Sequence, residues 1–241
     1  MKLGLIGYPI SHSKSPALFK KANPNSSSTY DLIETPSFDE AFERFMTEYD
    51  IINVTAPFKE LAFAKADIKE KGCERIGATN LLIKKEGKIL AYNTDKDGVK
   101  ICLKDCMAEN RLARENYKRA LIVGCGGAAM AAAVACQEMG FAVTITNRNL
   151  EKAVKFAERI GAKSSALPQI IENIRANDII IYALPICLNE IKDLDFEDKI
   201  VLEANYRNPS ISSKNAQYYI KGDKWLQAQA DAMYDIINVS F

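Results

Sequence analysis

The sequence is short of histidine and tryptophan, with one of each in 241 residues, His12 and Trp225. A lone histidine gives no histidine cluster for zinc, and His12, set between serines, is not read as a triad member. The six cysteines include no CxxC pair: Cys102 and Cys106 stand one helical turn apart, and Cys73, Cys125, Cys136 and Cys187 are scattered. In a chain of this size they read as reduced cysteines filling small apolar gaps, not as a disulfide or metal framework. Charge of one sign is not in excess, with 32 Lys and Arg against 31 Asp and Glu. No general field attracts nucleic acid or a membrane surface, so an anionic ligand must meet local basic residues. No apolar run reaches the ~20 residues that span a bilayer. Met1-Lys2-Leu3-Gly4-Leu5 enters an apolar run at once, without a signal-peptide layout. The expectation is a soluble cytoplasmic protein of one large or two small domains, with no metal.

What is present begins with Leu121-Ile122-Val123-Gly124-Cys125-Gly126-Gly127-Ala128-Ala129, an apolar run, a glycine turn and an alanine-rich helix. Gly124-x-Gly126-x-x-Ala129 is a weak motif alone, because glycine turns before helices are common. A buried strand before it and a small-residue helix after it make a nucleotide-binding βα unit. Such glycines let the backbone approach a pyrophosphate, and the helix N-terminus favours its charge. About 20 residues further on, where an NAD site carries Asp or Glu, stands Asn147-Arg148. Guanidinium and amide suit a 2′-phosphate, and Lys152 adds positive charge, so NADP is the expected cofactor. The plain alternative is an exposed Arg and Lys at a helix start.

From residue 120 onward strands and helices alternate: strands 120–123, 142–146, 178–183 and 199–203, helices to 139 and over 150–160. That rhythm predicts a parallel, doubly wound sheet. Before it come strands 3–7, 29–34 and 51–54, a hairpin of 81–84 with 88–92, and helices 14–22, 37–49, 58–66 and 97–105. Ser37 with Glu40 has the capping-box spacing, and Phe38, Ala41, Phe42, Phe45 and Met46 keep the helical period. Residues 223–238 predict a helix that buries Trp225, Leu226, Met233, Ile236 and Ile237 and folds back onto the first domain. The fold class is α/β: an N-terminal α/β substrate domain, residues 1–98 completed by the helix 223–241, and a Rossmann-like doubly wound NADP-binding domain over 99–222.

Three polar clusters follow short apolar runs in the N-terminal domain: Ser11-His12-Ser13-Lys14-Ser15-Pro16, Asn53-Val54-Thr55-Ala56-Pro57-Phe58-Lys59 and Asn93-Thr94-Asp95. Open α/β sheets hold ligands just past strand ends. A Lys59–Asp95 pair can pass a proton to or from a hydroxyl while a hydride moves at the same carbon. Each residue also has a plain alternative. Lys59 is then a solvated charge, Asp95 an ordinary turn residue, and Ser11, Ser13 and Ser15 are helix caps instead of hydroxyls facing a carboxylate. His12 is assigned only packing or turn geometry.

Together these motifs resemble the shikimate dehydrogenase family. The stretch Gly7-Tyr8-Pro9-Ile10-Ser11-His12-Ser13-Lys14-Ser15-Pro16 is similar to that family's opening motif, and Asn53 to Lys59 to its catalytic-lysine motif. Gly77-Ala78-Thr79-Asn80 and Asn93-Thr94-Asp95-Lys96-Asp97-Gly98 resemble the next two, with Lys96 where the family usually has Gly. Gly124-Cys125-Gly126-Gly127-Ala128 and Thr146-Asn147-Arg148-Asn149 resemble the cofactor motifs. The resemblance implies an oxidoreductase that reduces 3-dehydroshikimate with NADPH, on the route to aromatic amino acids. It implies Lys59 as general acid/base, with Asp95 paired to it and holding a ring hydroxyl. Ser13, Ser15 and Tyr206 bind the carboxylate, and Thr55, Asn80 and Gln229 the hydroxyls. Gly124, Gly126, Gly127, Ala128 and Gly222 fall to the cofactor, and Asn147, Arg148 and Lys152 to its 2′-phosphate. The expected partner is a small molecule, with no nucleic acid or membrane, and the chain is a monomer or homodimer. Two rival readings are a quinate/shikimate dehydrogenase that accepts NAD, which Arg148 opposes, and a nucleotide-binding regulator without turnover, which Lys59 and Asp95 oppose. The last third departs from the pattern. Tyr182-Ala183-Leu184-Pro185 replaces a polar Asn-Ala-Thr-Ser-like turn, Trp225 stands at a usual methionine, and residues 209–222 are short.

Overall fold

The computed structural model describes residues 1–211 and 216–240, the last by its backbone. Residues 212–215 of the expected cofactor domain and residue 241 of the expected final helix lie outside the described residues. The chain divides into two compact units, Met1–Thr94 with Met233–Phe241, and Asp95–Ala232.

In the first unit a strand, a helix and a strand recur, as the apolar runs dictate: β1 (Lys2–Gly7), α1 (Ser15–Ala22), β2 (Thr29–Glu34), α2 (Phe38–Glu48), β3 (Ile51–Val54) and α3 (Lys59–Lys65). Then follow β4 (Ile68–Lys69), α4 (Lys71–Ile76), β5 (Leu81–Lys85) and β6 (Lys88–Tyr92). The sheet runs β2-β1-β3-β5-β6-β4. From β1 the chain steps to β2 on one side and returns to β3 on the other, which makes the β1/β3 border a topological switch point. β5 is antiparallel to both β3 and β6, with Asn53 opposite Leu81 and Leu81 opposite Tyr92. The start of β5 therefore lies at the same sheet edge as the ends of β1, β3 and β6. Successive residues of β3 face opposite layers: Ile52 and Val54 pack with Phe38 and Phe45 of α2 and Ala62 of α3. Ile51 packs instead with Phe19, Leu81, Met233 and Ile237. Gly7 is glycine because of crowding: a Cβ there would lie 2.4 Å from Thr55 Cγ2 and 3.0 Å from the Ala56 carbonyl oxygen.

Several local expectations are corrected. Ser37 does cap α2, accepting from the Glu40 N–H at 3.3 Å, but the Glu40 carboxylate reaches the Thr35 hydroxyl at 2.7 Å instead of closing a capping box. Met46 is exposed. At α1 no side chain caps the helix, and the cap position is Lys14. β4 and α4 carry too few periodic residues to be read from sequence. α4 is held instead by the Glu70 carboxylate, which accepts from the Gly72 and Cys73 amides.

The second unit contains α5 (Thr94–Glu109, whose first residue belongs to the first unit), β7 (Arg119–Val123), α6 (Gly127–Glu138), β8 (Ala142–Asn147), α7 (Leu150–Ile160) and β9 (Lys163–Ala166). It continues with α8 (Ile170–Ala176), β10 (Ile179–Tyr182), β11 (Ile200–Glu203), β12 (Tyr218–Ile220) and α9 (Gly222–Ser240), whose end returns to the first unit. All strands are parallel in the order β12-β11-β10-β7-β8-β9. Counted from β7 this is the 3-2-1-4-5-6 Rossmann order, with its switch point between β7 and β10. The edge strands β9 and β12 and the short helix α8 were not expected. Lys-Ser-Ser-Ala carries no apolar alternation, and an edge position asks for none. The unit divisions fall inside α5, between Thr94 and Asp95, and inside α9, between Ala232 and Met233. In α9 Trp225, Met233 and Ile237 are buried, whereas Leu226 and Ile236 are half-buried. Among the described residues no helix is long and apolar enough to cross a membrane, and no group of His, Cys, Asp and Glu is placed to hold a metal.

Candidate active site

The polar edge of the first sheet is organised by the turn that follows α4. Gly77 ends that helix at φ 71°, a left-handed conformation that glycine adopts without strain. The Thr79 amide then donates to the Lys59 carbonyl at 3.0 Å, the Asn93 side-chain amide donates to the Ala78 carbonyl at 2.8 Å, and the Asn80 amide donates to the Tyr92 carbonyl at 3.2 Å. The Asn80 carbonyl accepts from the Val54 amide at 2.9 Å and from Asn53 Nδ2 at 3.2 Å. One turn thus ties the start of α3, the end of β3 and the end of β6.

The Asn80 side chain completes the tie. Its Oδ1 accepts from the Thr94 N–H at 2.8 Å, and its Nδ2 donates to Thr94 Oγ1 at 2.9 Å. This satisfies the first amide of α5, which is why that helix begins at Thr94 and not at Asp97. Asp95 is consequently a buried first-turn helix residue and not a loop residue. Asp95 and Asp97 both lie at the positive end of the helix dipole. The Asp95 carbonyl accepts from Trp225 Nε1 at 3.0 Å.

A second chain of bonds leads from the opening motif. Ser13 and Ser15 are both half-buried. Ser13 Oγ accepts from the Ser15 N–H at 3.2 Å and lies 3.1 Å from Ser15 Oγ. Tyr30, on β2, donates to Asn53 Oδ1 at 2.7 Å. Burial pushes its phenol well above the usual range, partly offset by a hydrogen bond with Ser15, so it remains a donor. Ser13, Ser15, Tyr30, Asn53 and Asn80 form one hydrogen-bonded line in the first unit. Thr55 and Lys59, both half-buried, flank the end of β3. Tyr30, Thr79 and Thr94 were missed as site-organising residues because strand and turn patterns say nothing about which hydroxyls pair.

In the second unit Gly124 follows β7 at φ 118°. Its N–H donates to the Thr146 carbonyl at 2.8 Å, and a Cβ would lie 3.3 Å from the Ala183 carbonyl oxygen. Gly126 caps α6 with no side-chain hydrogen bond, and a Cβ there would meet nothing within 4 Å. Gly127 and Ala128 open the helix, whose N-terminus, beside the space left at Gly126, suits a pyrophosphate. Asn147 ends β8, with Nδ2 donating to the Asn149 carbonyl at 3.1 Å. Asn149 caps α7 through the Lys152 amide at 3.0 Å, and Arg148 is exposed between them. Amides, amide side chain and guanidinium with no carboxylate at the strand end fit a phosphorylated ribose.

Gly222, Tyr206 and Gln229 lie further round this unit. A Cβ on Gly222 would lie 2.7 Å from the Ala204 carbonyl oxygen and 2.8 Å from that of Glu203, so backbone packing accounts for the glycine. Buried Glu203 accepts from the Ser210 and Ile211 amides and from the Tyr219 hydroxyl, which holds the turn bearing Tyr206. Gln229, on α9, donates to the Leu226 carbonyl at 2.9 Å, and its Cβ lies 3.0 Å from a Cβ placed on Gly98.

A Rossmann-ordered parallel sheet with a glycine turn, preceded by an α/β sheet whose polar edge carries a helix-start lysine, defines a dinucleotide-dependent oxidoreductase architecture. Residues 5–82 match the shikimate dehydrogenase substrate binding domain, and residues 106–195 match shikimate / quinate 5-dehydrogenase. The shikimate dehydrogenase (NADP(+)) of Ignicoccus hospitalis is 34% identical over 195 residues, which span 79% of this chain and 71% of that one. The crystal structure of shikimate dehydrogenase from Aquifex aeolicus aligns with a TM-score of 0.81 at 26% identity, covering 98% of this chain and 91% of that one. Shikimate 5-dehydrogenase from Thermus thermophilus, solved in complex with NADP(H) and shikimate, aligns at 0.80 with 23% identity, over 98% and 92% of the two chains, a likeness of fold alone. The chain belongs to the shikimate dehydrogenase family.

The Asn80–Thr94 clasp is open to a direct check. Thr94→Val keeps the side-chain shape and removes the hydroxyl that accepts from Asn80 Nδ2. The expected loss is ~1–3 kcal/mol of unfolding free energy, read by urea denaturation. An unchanged midpoint with an unchanged slope would remove this clasp from the account.

Proposed function

We propose that this protein is a shikimate dehydrogenase, catalysing the reversible NADPH-dependent reduction of 3-dehydroshikimate to shikimate. The observation that carries the reading is the polar edge of the first sheet in a chain of this family, where Lys59 starts a helix whose first carbonyl is held by Thr79. When bound, NADPH supplies the hydride. Lys59 Nζ gives its proton to the substrate's carbonyl oxygen as negative charge develops there, and takes it back in the oxidative direction. Asp95 orients Lys59 and holds the adjacent ring hydroxyl. Ser13, Ser15 and Tyr206 bind the carboxylate, and Thr55, Asn80 and Gln229 bind hydroxyls. The turn of Gly124, Gly126, Gly127 and Ala128 receives the pyrophosphate, with the backbone amides at the start of α6 facing it, and Asn147, Arg148 and Lys152 hold the 2′-phosphate. Gly222 belongs to the cofactor side. Residues 1–98 with 223–241 serve the substrate and residues 99–222 the cofactor. The enzyme works on this small molecule as a monomer or homodimer in the cytoplasm.

Two substitutions test these roles. Arg148→Ala should raise the KM for NADP roughly tenfold or more and leave that for NAD nearly unchanged, because a charge-assisted hydrogen bond is lost. Equal effects on both cofactors would contradict the 2′-phosphate assignment. Lys59→Ala should lower kcat by ~10²–10⁴ with a much smaller change in the shikimate KM. Adding Asp95→Asn should cost less than the two single losses combined, since the groups act together. Near-normal turnover by Lys59→Ala would return the lysine to a surface charge.

A further inference from the structure

The departure at the end of β10 has its own construction. Tyr182 is fully buried, and its hydroxyl donates to the Ile186 carbonyl at 2.7 Å and accepts from the Leu188 N–H at 3.2 Å. Burial pushes the phenol up to about 12, so it stays protonated and able to donate throughout the neutral range. The loop it closes starts with the Ala183 amide bonded to the Val123 carbonyl at 2.9 Å, one residue before the glycine turn. The loop then crosses that turn. The Ala183 carbonyl oxygen and Leu184 Cδ2 come within 3.3 and 3.4 Å of where a Gly124 Cβ would stand. This is the β7/β10 switch point, the crevice in which a sheet of this order holds its ligand.

We propose that Tyr182 is a positioning residue for the cofactor: its phenol, working from beneath, holds the 183–188 loop against the glycine turn. The loop thereby presents Leu184 and Pro185 to the nicotinamide end in place of polar side chains. A loop carrying hydroxyls and amides can be fixed by bonds to its own neighbours or to the ligand. The side chains of Ala183, Leu184 and Pro185 offer neither, so the Tyr182 hydroxyl bonds the loop from the core side, beside the Ala183 amide's bond to Val123 and the apolar packing of Leu184 and Leu188. The inference rests on the NADP-binding reading above and adds the element that sets affinity at the nicotinamide end.

The test is Tyr182→Phe, which keeps the ring and removes only the hydroxyl. NADP titrated into the purified enzyme should bind about five- to tenfold more weakly, the equivalent of one buried hydrogen bond. The KM for NADP should rise with it while the KM for shikimate stays unchanged, and the Leu188 amide should lose protection in hydrogen exchange. Faster Leu188 exchange with unaltered NADP affinity would overturn the proposal and leave Tyr182 a purely structural residue. A failure of the unsubstituted enzyme to bind NADP is seen before any substitution and overturns the functional reading instead. Should Tyr182→Phe not fold, exchange in the unsubstituted enzyme decides: NADP must slow the amides of Ala183, Leu184, Ile186, Cys187 and Leu188, and shikimate alone must not. No slowing by NADP would overturn the proposal.

Discussion

A sheet edge that carries polar ligand-binding groups must bury polar atoms beside an apolar core, and each such atom needs a partner. In the first unit Asn53, Thr79, Asn80, Asn93 and Thr94 are all buried, as is Asp95 just beyond it. The turn at residues 77–80 answers the requirement by bonding to the ends of β3 and β6 and to the start of α3. Asn80 extends the pairing to the first amide of α5. The placement of Lys59 and the starting point of α5, and with it Asp95, both depend on this one set of bonds. Asn93 Oδ1 and Thr146 Oγ1 are the buried side-chain atoms without a partner among the described residues.

The second unit meets a different constraint, close backbone approach. Gly124 passes under the loop after β10, and Gly222 passes against the backbone after β11. At both places an added Cβ meets carbonyl oxygens, so glycine is a packing requirement. The same crowding makes the character of the 183–188 loop matter to the glycine turn beside it. On the neighbouring strand β11, Glu203 has the corresponding role: it is fully buried and bonded to two amides and a phenol.

Much of this was legible in the residues. The apolar run and glycines of 121–129 gave the first βα unit of this sheet, and the apolar run before Asn147-Arg148 gave β8, because such signals are local and rest on strand burial. The serines, Lys59 and Asp95 stood out because each follows a strand end. What stayed hidden was pairing across sequence distance. Nothing in the local pattern shows that Asn80 clasps Thr94, that Tyr30 joins Ser15 to Asn53, or that Glu40 prefers Thr35 to its own helix cap. Edge strands such as Lys163–Ala166 were hidden for the opposite reason: they bury so little that they need no pattern. Tyr182 was visible as a departure, but only the bonds of its hydroxyl explain what replaced the polar turn.

The central claim is that this chain couples oxidation of a ring hydroxyl to NADP. The direct measurement is the initial rate of NADPH appearance, followed by its absorbance, with purified protein, shikimate and NADP, set beside the same assay with NAD. The account predicts saturable turnover with shikimate and NADP, and a kcat/KM with NAD that is lower by at least about tenfold, the worth of one charge-assisted hydrogen bond. Tight NADP binding with no NADPH formed from shikimate would contradict it, and would mark the chain as a nucleotide-binding member of the fold that does not carry out the reaction.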